Sequence, residues 1–301
     1  MYSKCVITNI HDLIGLYCYI CQVYDSRLFV NVQRLSNNSC PKFTDAEVLT
    51  VYLWGLNEQL LNLKAIYSFT KRYLLDCFPQ LPSYAAFANR VAYLSTALME
   101  LSEELLTENG AYQEFENYLI DTMPVIVSQA RQRQAPRVAQ GFCSLGYCPT
   151  KKLYYYGVKF SILGRKRAGA MPIPAKFGVC GANEGDITLG KAMLADAFNM
   201  DIFADLGYIS QPWHDELFLR NVHLHTSVKR QCNSPPLSAK QRLESKKHSS
   251  FRQPVESFFS SMASRFGLER AHFVRSTNGL LSFIWGRLSA ALLRIFGWFN
   301  P

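Results

Sequence analysis

The stretch YLIDTMPVIV, residues 118–127, marks the place where the chain changes from helical to strand-like patterning. It is rich in the β-branched and aromatic residues that favour a strand. Asp121 stands inside it, and a carboxylate in an apolar strand is costly to bury unless a metal or another cation compensates. We therefore predict a buried strand over 118–127, with Asp121 as a candidate metal ligand.

Further strand-like runs follow along the chain. They cover residues 153–163, 173–180, 201–204 and 222–228. A helix is predicted over 188–198, and a helical pattern resumes near Phe251. Strands followed by helices indicate a mixed sheet with helices packed on its faces. We expect an α/β domain over residues 113–301.

The preceding part of the chain, residues 1–112, is patterned as helices. Thr44 opens a capping-box pattern just before an apolar run. A second helix is expected over 63–77. After Ser83, apolar residues spaced three and four apart predict a long helix over 84–105. These features predict an all-α N-terminal domain.

The role of this helical domain stays open at the level of sequence. Its long apolar stripe fits either a seam in a helical core or a dimerising coiled coil. The turn PQLP, residues 79–82, fits an ordinary bundle connection or a helix-turn-helix that reads DNA.

The net charge of +9 is unevenly distributed along the chain. Residues 1–120 carry 8 basic and 12 acidic side chains, whereas residues 121–301 carry 24 and 11. Between Asp121 and Glu184 there is no acidic residue. This interval holds ten basic residues, which include Lys151, Lys152 and Lys159. One-sign stretches suit a polyanion such as DNA, although a basic surface that aids solubility or contacts a membrane fits the composition as well.

Simpler features argue against several classes of protein. The first two dozen residues lack the ordered parts of a secretory signal, and nine cysteines, an odd number, argue against a complete disulfide framework. The apolar stretch 279–299 contains Arg287 and Arg294, which are costly at a bilayer centre, so a buried helix is expected there rather than a membrane span. The sequence has no phosphate-binding glycine loop, so no nucleotide cofactor is predicted. We expect a cytoplasmic protein with reduced thiols.

Two further acidic residues are candidates for the chemistry of Asp121. Asp205 follows the apolar run Ile-Phe-Ala and precedes Gly207, which places it at the end of a strand. Glu256 lies in the helical pattern that follows. Carboxylates are natural ligands of hard divalent cations, and two such cations can promote phosphodiester cleavage. Taken singly, Asp205 also fits a turn cap and Glu256 an exposed helical residue.

Four segments in a fixed order carry a resemblance to a known family. They are IDTMPV at 120–125, KKLYYYGVKFSIL at 151–163, ADLGYIS at 204–210 and FRQPVESFFSSMASRFGLER at 251–270. In this order the chain resembles bacterial insertion-sequence transposases of the DDE class, whose catalytic domain is RNase H-like. The likeness extends over nearly the whole chain. About fifty residues separate Asp205 from Glu256, which implies a compact form without a large β-insertion.

The resemblance implies a DNA transposase that cuts at transposon ends and joins the freed 3′-hydroxyl to target DNA. It assigns Asp121, Asp205 and Glu256 as catalytic residues that bind two Mg²⁺ ions, with Mn²⁺ as a substitute. It also implies terminal inverted repeats and target DNA as partners. A homodimer or larger assembly on DNA, associated with the nucleoid, is expected on the same grounds.

Basic residues near this trio are expected to contact DNA. Lys151 and Lys152 belong to the basic interval. Lys159 fits either a phosphate contact beside the metals or a solvated strand lysine. Arg252, four residues before Glu256, fits either a phosphate contact or an ion pair with that glutamate.

The chain also departs from the family pattern, and these departures keep other functions open. The family often has Lys where Leu206 stands, and related signatures have Lys where Ala263 stands. Arg265, two positions farther on, is expected to supply the second missing charge. The complete acidic trio supports cleavage, but a metal-dependent nuclease that does not join ends fits the same residues. A catalytically decayed DNA-binding protein is favoured by the altered contact positions and opposed by the intact trio.

Overall fold

The computed structural model describes residues 10–34, 41–110, 117–129, 138–167, 169–226 and 238–299, with the backbone alone for 239–248. By its internal contacts the chain divides into two compact units. Unit 1 comprises Met1–Asn109 and Met262–Pro301, and unit 2 comprises Gly110–Ser261. Within the described residues, no helix is both long enough and apolar enough to cross a membrane.

Unit 1 is built of helices, as the sequence predicts. Its N-terminal part contains α1 (Ile10–Val23), a π-helical turn (Tyr24–Leu28), a 3₁₀ turn (Phe29–Asn31), α2 (Asp45–Asn57), α3 (Leu63–Tyr73), α4 (Tyr84–Tyr93) and α5 (Ser95–Glu108). The capping box before α2 is confirmed, because the Thr44 side chain accepts from the Glu47 backbone and the Glu47 carboxylate accepts from the Thr44 backbone.

Unit 2 contains a mixed sheet with helices. Its elements are β1 (Asn117–Gln129), β2 (Ser144–Cys148), β3 (Leu153–Arg167), β4 (Ala170–Gly181), α6 (Asp186–Met193), β5 (Met200–Ala204), a 3₁₀ turn (Leu206–Tyr208), α7 (Gln211–Phe218), β6 (Val222–Thr226) and α8 (Ala239–Ser264). The last residues of α8 already belong to unit 1. The predicted mixed α/β fold with an N-terminal helical region is thereby confirmed, and it is consistent with an RNase H-like domain.

The last helix, α9 (Thr277–Ile295), belongs to unit 1 and packs against α2, α4 and α5. Almost every residue over 280–293 is buried, which confirms the predicted buried helix. The sequence assigned residues 262–301 to the catalytic domain, whereas their contacts place them with the N-terminal helices. The apolar surface of α9 completes the helical core, and this explains the difference.

The structure contains two helices where the sequence predicts one over 84–105. Helix α4 ends at Tyr93 and α5 begins at Ser95, with Leu94 between them outside helical geometry. Both helices pack against α9. The conformation of Leu94, with ψ at 18°, therefore interrupts the predicted helix, although both halves keep the same packing partner.

A buried ion cluster lies in unit 1 around Asp45, whose side chain is only 5% exposed. Arg34 and Arg90 pair with its carboxylate, and the Tyr24 hydroxyl donates to it at 2.7 Å. Burial opposes ionisation, but the hydrogen bonds from Arg90, Arg34 and Tyr24 outweigh it and lower the pKa of Asp45. The ionised carboxylate therefore links α2 to the π-helical turn, to the segment around Arg34 and to α4.

The sheet of unit 2 has the order β2-β3-β1-β5-β6, and β4 also pairs with β3. Strand β1 is antiparallel to β3 and parallel to β5, which in turn is parallel to β6. Helices α6 and α7 cover one face through a core that includes Ile120, Ile202 and Trp213. Because side chains alternate along a strand, Asp121 and Phe203 belong to the opposite face.

Candidate active site

Asp121 lies in β1, at the centre of the sheet, with 17% of its side chain exposed. Its Oδ1 accepts from the Thr122 backbone at 2.8 Å, and the Ser161 hydroxyl donates to its carbonyl oxygen at 3.0 Å. Burial raises the pKa of Asp121 to about 6; the Arg252 charge opposes this and the Asp205 charge reinforces it. This carboxyl is thus desolvated in a way that a bound cation relieves.

Asp205 stands directly after β5 and caps the 3₁₀ turn that follows, where its Oδ1 accepts from the Leu206 backbone at 2.7 Å. The parallel register aligns Leu119 of β1 with Phe203 of β5. Two residues farther along each strand come Asp121 and Asp205, so both carboxylates reach the same edge of the same face.

Helix α8 brings the remaining two charged groups. Arg252 and Glu256 are one turn apart on this helix. The Arg252 guanidinium lies 3.4 Å from Asp121 Oδ2, 3.3 Å from Asp205 Oδ1 and 3.6 Å from Glu256 Oε1. The structure therefore gathers the three candidate carboxylates around one arginine. Its ion-pair contacts extend beyond Glu256 to both aspartates.

An aromatic stack seats α8 on the sheet. The Phe251 ring lies 4.2 Å from that of Phe203 at an interplanar angle of 13°, and Phe203 stacks in turn on His225 at 4.8 Å. A third element, β3, contributes Lys166, whose ammonium lies 3.2 Å from the centre of the Phe251 ring. Because Phe251 precedes Arg252, this stack sets where the arginine enters the site.

A fourth carboxylate, Asp186 at the start of α6, was not predicted from the sequence. It accepts from the Lys159 ammonium at 2.8 Å and from the Thr122 hydroxyl at 3.3 Å. It also packs against the turn after Asp205, since a side chain at Gly207 would come within 2.8 Å of its carboxylate. Its only sequence signal is its position, among the first acidic residues after the long basic interval.

Lys159 is therefore not beside the acidic trio. It pairs across the sheet with Pro124, and alternation places its side chain on the α6 face, away from Asp121. Its ammonium donates to Asp186 and, at 2.8 Å, to the carbonyl of Glu184. In this structure its charge is used within the protein.

Tyr208 fills the space beneath the site and is almost fully buried. Burial, followed by the charges of Asp121 and Asp186, raises its pKa well above the ordinary value, so its hydroxyl keeps its proton. Gly190 of α6 is needed for this packing, because a Cβ there would lie 3.1 Å from the Tyr208 ring. The Asp-x-Gly-Tyr segment therefore links the carboxylate, a tight turn and a buried support.

A family model described as a transposase DDE domain matches residues 119–293, more than half of the chain. The chain belongs to this family. No curated protein and no solved structure matches it. In this DDE transposase the matched segment begins in β1, two residues before Asp121, and ends within α9. It includes all three candidate carboxylates and Arg252.

The other predicted DNA contacts of the transposase lie elsewhere in the fold. Lys151 and Lys152 are exposed in the turn between β2 and β3, and Lys152 has a positive φ of 49°. Arg265 belongs to unit 1, where its charge opposes the upward shift that burial causes in the pKa of Glu58. Arg252 is thus a predicted DNA contact that the structure places with the trio, whereas Lys151 and Lys152 lie in a turn of unit 2 and Arg265 belongs to unit 1.

The donor set of the transposase suits a hard divalent cation. All three groups are carboxylates, and the buried Asp121 gains when a cation replaces its proton. Arg252 lies between them, and among the described residues no three His, Cys, Asp or Glu side chains are grouped closely enough to hold a metal ion. The oxygen chemistry fits the metal that the family implies, while the guanidinium holds the central position.

Proposed function

We propose that this DDE transposase cuts DNA at the ends of its element and joins the freed 3′-hydroxyl to target DNA in the same site. The observation that carries the proposal is the convergence of Asp121, Asp205 and Glu256 on Arg252. These residues are far apart in the chain, and the parallel pairing of β1 with β5 together with the seating of α8 brings them together.

The three carboxylates would hold Mg²⁺, or Mn²⁺ in its place, through hard oxygen ligands. Two such ions would activate the attacking oxygen and offset the charge that develops at phosphorus. Asp121 is a fixed ligand, because β1 holds it at the centre of the sheet. Glu256, with 60% of its side chain exposed, approaches from the helix and completes the set.

Arg252 is proposed to contact a phosphate oxygen of the DNA. Its three carboxylate contacts, at 3.3 to 3.6 Å, are longer than the usual 2.7 to 2.9 Å of a charge-assisted hydrogen bond. Its Nε is buried and has no hydrogen-bond partner within the described part of the chain. An arginine held loosely, with a donor still to satisfy, is suited to transfer its contacts to phosphate.

The remaining DNA contacts are proposed on the basic surface. Lys151 and Lys152 stand in an exposed turn of unit 2 and can approach the phosphate backbone without rearranging the core. The partners would be the terminal inverted repeats and the target DNA. A homodimer or larger assembly would hold two ends at once.

Two in-line displacements at phosphorus would complete the reaction. In the first, a water oxygen attacks the phosphorus at the element's end; one of its protons passes to the departing 3′-oxygen and the other is released to solvent. The bond to the 3′-oxygen breaks, which leaves a 3′-hydroxyl on the element and a 5′-phosphate on the flanking DNA. In the second, that 3′-oxygen attacks a target phosphorus, and the target's own 3′-oxygen leaves as a hydroxyl.

A joining assay with the full chain tests the proposal. The substrate is a precleaved duplex taken from the DNA that flanks the coding sequence, with supercoiled plasmid as target. We expect joining that depends on Mg²⁺. Asp205→Ala should reduce it by about 10³-fold or more, as loss of one catalytic group does in other enzymes. Asp215→Ala, an exposed aspartate on α7, is the matched control and should retain activity.

Three results would contradict the proposal in different ways. Undiminished joining by Asp205→Ala would remove that residue from the site. Cleavage without joining of the precleaved end would identify a nuclease. Salt-sensitive DNA binding with no metal-dependent cleavage would identify a DNA-binding protein without this chemistry.

A further inference from the structure

A cavity of about 590 Å³ lies within unit 1, separate from the residues of the catalytic trio. Its walls come from α2, the first turn of α3, α4, the segment before α9 and the beginning of α9. The side chains used below are Tyr52, Lys64, Tyr84, Phe273, Arg275 and Arg287, all of which line it. Its volume is within the range of sites that hold a small organic ligand.

The lining of this cavity is positively charged. Lys64, Arg275 and Arg287 contribute to it, and its described lining residues include no aspartate or glutamate. The N-terminal ends of α3 and α9 also open on it through their capping residues, Asn62 and Ser276. The partial positive charge of each helix terminus adds to that of the side chains. Charge complementarity therefore predicts an anionic occupant.

Arg287 makes this charge a built feature of the cavity. Its side chain is 3% exposed and donates to the carbonyl oxygens of Leu61 at 2.6 Å, Phe266 at 2.7 Å and Phe283 at 3.2 Å. It also lies 3.4 Å from the Tyr52 hydroxyl. These partners are neutral, so they fix the guanidinium without cancelling its charge. A buried cation held in this way is costly unless an anion compensates it.

Two aromatic side chains at the cavity are exposed to solvent. Phe273 is 70% exposed and Tyr84 is 40% exposed. Tyr84 is braced by Tyr67, whose ring lies 5.5 Å away in an edge-on arrangement. An aromatic face beside cationic groups suits a nucleobase attached to its phosphate, because every base can stack and every nucleotide carries the charge.

We propose that this cavity binds a single unpaired nucleotide of a DNA strand. The base lies against Phe273 and Tyr84, and its phosphate faces Lys64 and Arg275. The buried charge of Arg287 adds to the electrostatic attraction for the phosphate. The inference rests on the proposed function in one respect, that DNA is the polymer this protein handles. It does not depend on the acidic trio or on catalysis.

Binding of defined duplexes by the full chain tests the proposal. Three labelled duplexes of one sequence are compared by fluorescence anisotropy in EDTA: one fully paired, one with an extra unpaired thymidine at its centre, and one with an abasic residue in place of that thymidine. We expect the wild type to prefer the unpaired thymidine about tenfold over each of the others, which corresponds to about 1.4 kcal/mol.

Two variants should remove most of this preference. They are Phe273→Ala and Arg275→Ala, whose side chains are exposed, so that the helical core stays intact. The matched controls are Phe218→Ala, an equally exposed phenylalanine of unit 2, and Lys71→Ala, an exposed cation of α3 that does not line the cavity. Both controls should keep the preference. Thermal unfolding of all four variants verifies that they are folded.

Several outcomes would overturn the proposal. One is a wild type with no preference for the unpaired thymidine. Another is retention of that preference by Phe273→Ala and Arg275→Ala. Equal binding of the abasic and thymidine duplexes would mean that the cavity takes a phosphate alone. Loss of the preference at low concentrations of thymidine monophosphate would assign it to a free nucleotide. Asp205→Ala separates the two proposals, because it should lose joining and keep the preference for unpaired thymidine.

Discussion

Replacing Arg252 by glutamine should have two opposite effects on the transposase. It should destabilise the metal-free protein and strengthen the binding of Mg²⁺. Both follow from the position of the guanidinium among Asp121, Asp205 and Glu256. Without it, the carboxylates repel one another. A divalent cation that approaches them is then no longer repelled by the guanidinium and no longer competes with it for the carboxylate oxygens.

The magnitude depends on how exposed each pair is. The pair with Glu256 is 60% exposed on the acid side and contributes only a few tenths of a kcal/mol. The pair with Asp205 is half exposed and contributes about 0.5 kcal/mol. Asp121 and Arg252 are each 17% exposed, so their pair is screened less and contributes about 1 kcal/mol. We expect a loss of about 2 kcal/mol in the free energy of unfolding.

Part of the same energy should return as metal affinity. A gain of about 1.4 kcal/mol corresponds to about tenfold tighter binding of Mg²⁺. Urea unfolding in EDTA measures the first effect, and isothermal titration with MgCl₂ measures the second. Arg220→Gln is the control, because Arg220 pairs with Glu216 on α7 and should leave metal affinity unchanged. An Arg252→Gln variant with wild-type stability and wild-type metal affinity would refute the reasoning.

Two further predictions concern ion pairs outside the trio. Asp45→Asn should lower the free energy of unfolding at pH 7 by about 3 kcal/mol, because it leaves Arg34 and Arg90 without their counter-charge. Because folding lowers the pKa of Asp45, its contribution is complete at neutral pH and is lost as pH falls below its ordinary value of 3.8. Because one bound proton changes stability by about 1.4 kcal/mol per pH unit, the difference between the two proteins in urea unfolding should shrink by about 1 kcal/mol between pH 4 and pH 3. A difference that does not change with pH in this range would contradict the assignment. Lys159→Met should leave the salt dependence of DNA binding unchanged, because Asp186 holds that ammonium on the α6 face. A slope of log Kd against log salt reduced by about one would instead show a direct phosphate contact.

Much of the fold could be predicted from pattern alone. A high density of β-branched and aromatic residues predicts the strand around Asp121 and the long β3. The capping box predicts the start of α2. Strand β2, unlike the equally short β5 and β6, was missed because Gly146 interrupts its strand-like pattern. That glycine is required by a close approach to the Ala182 backbone, which no local pattern reveals. Helix α9 was found, but its membership of unit 1 depends on long-range packing.

The candidate site divides in the same way. Asp121 and Asp205 could be selected because each interrupts or ends an apolar strand, and such carboxylates need a reason to be there. Glu256 fits an exposed helical residue equally well, and it was selected chiefly by the resemblance and by its spacing from Arg252. Asp186 and the placement of Lys159 escaped prediction, because they depend on which sheet face α6 covers. Strand periodicity gives alternation, but only the packed structure says which neighbour each face meets.

Arg252 offsets the mutual repulsion of the three candidate carboxylates. Asp121 is held at the centre of the sheet, where burial raises its pKa; with the opposing charge of Arg252 present, that pKa is about 6. The guanidinium lowers that pKa, so it preserves the ionised form that a cation must find. Its contacts are longer than the usual charge-assisted hydrogen bond and its Nε has no partner within the described chain, so we expect it to be able to turn to a phosphate. On the proposed function, the same arginine is expected both to stabilise the carboxylate cluster and to contact DNA. It follows that Arg252→Lys, which keeps the charge but loses the planar fork, should preserve more stability than activity.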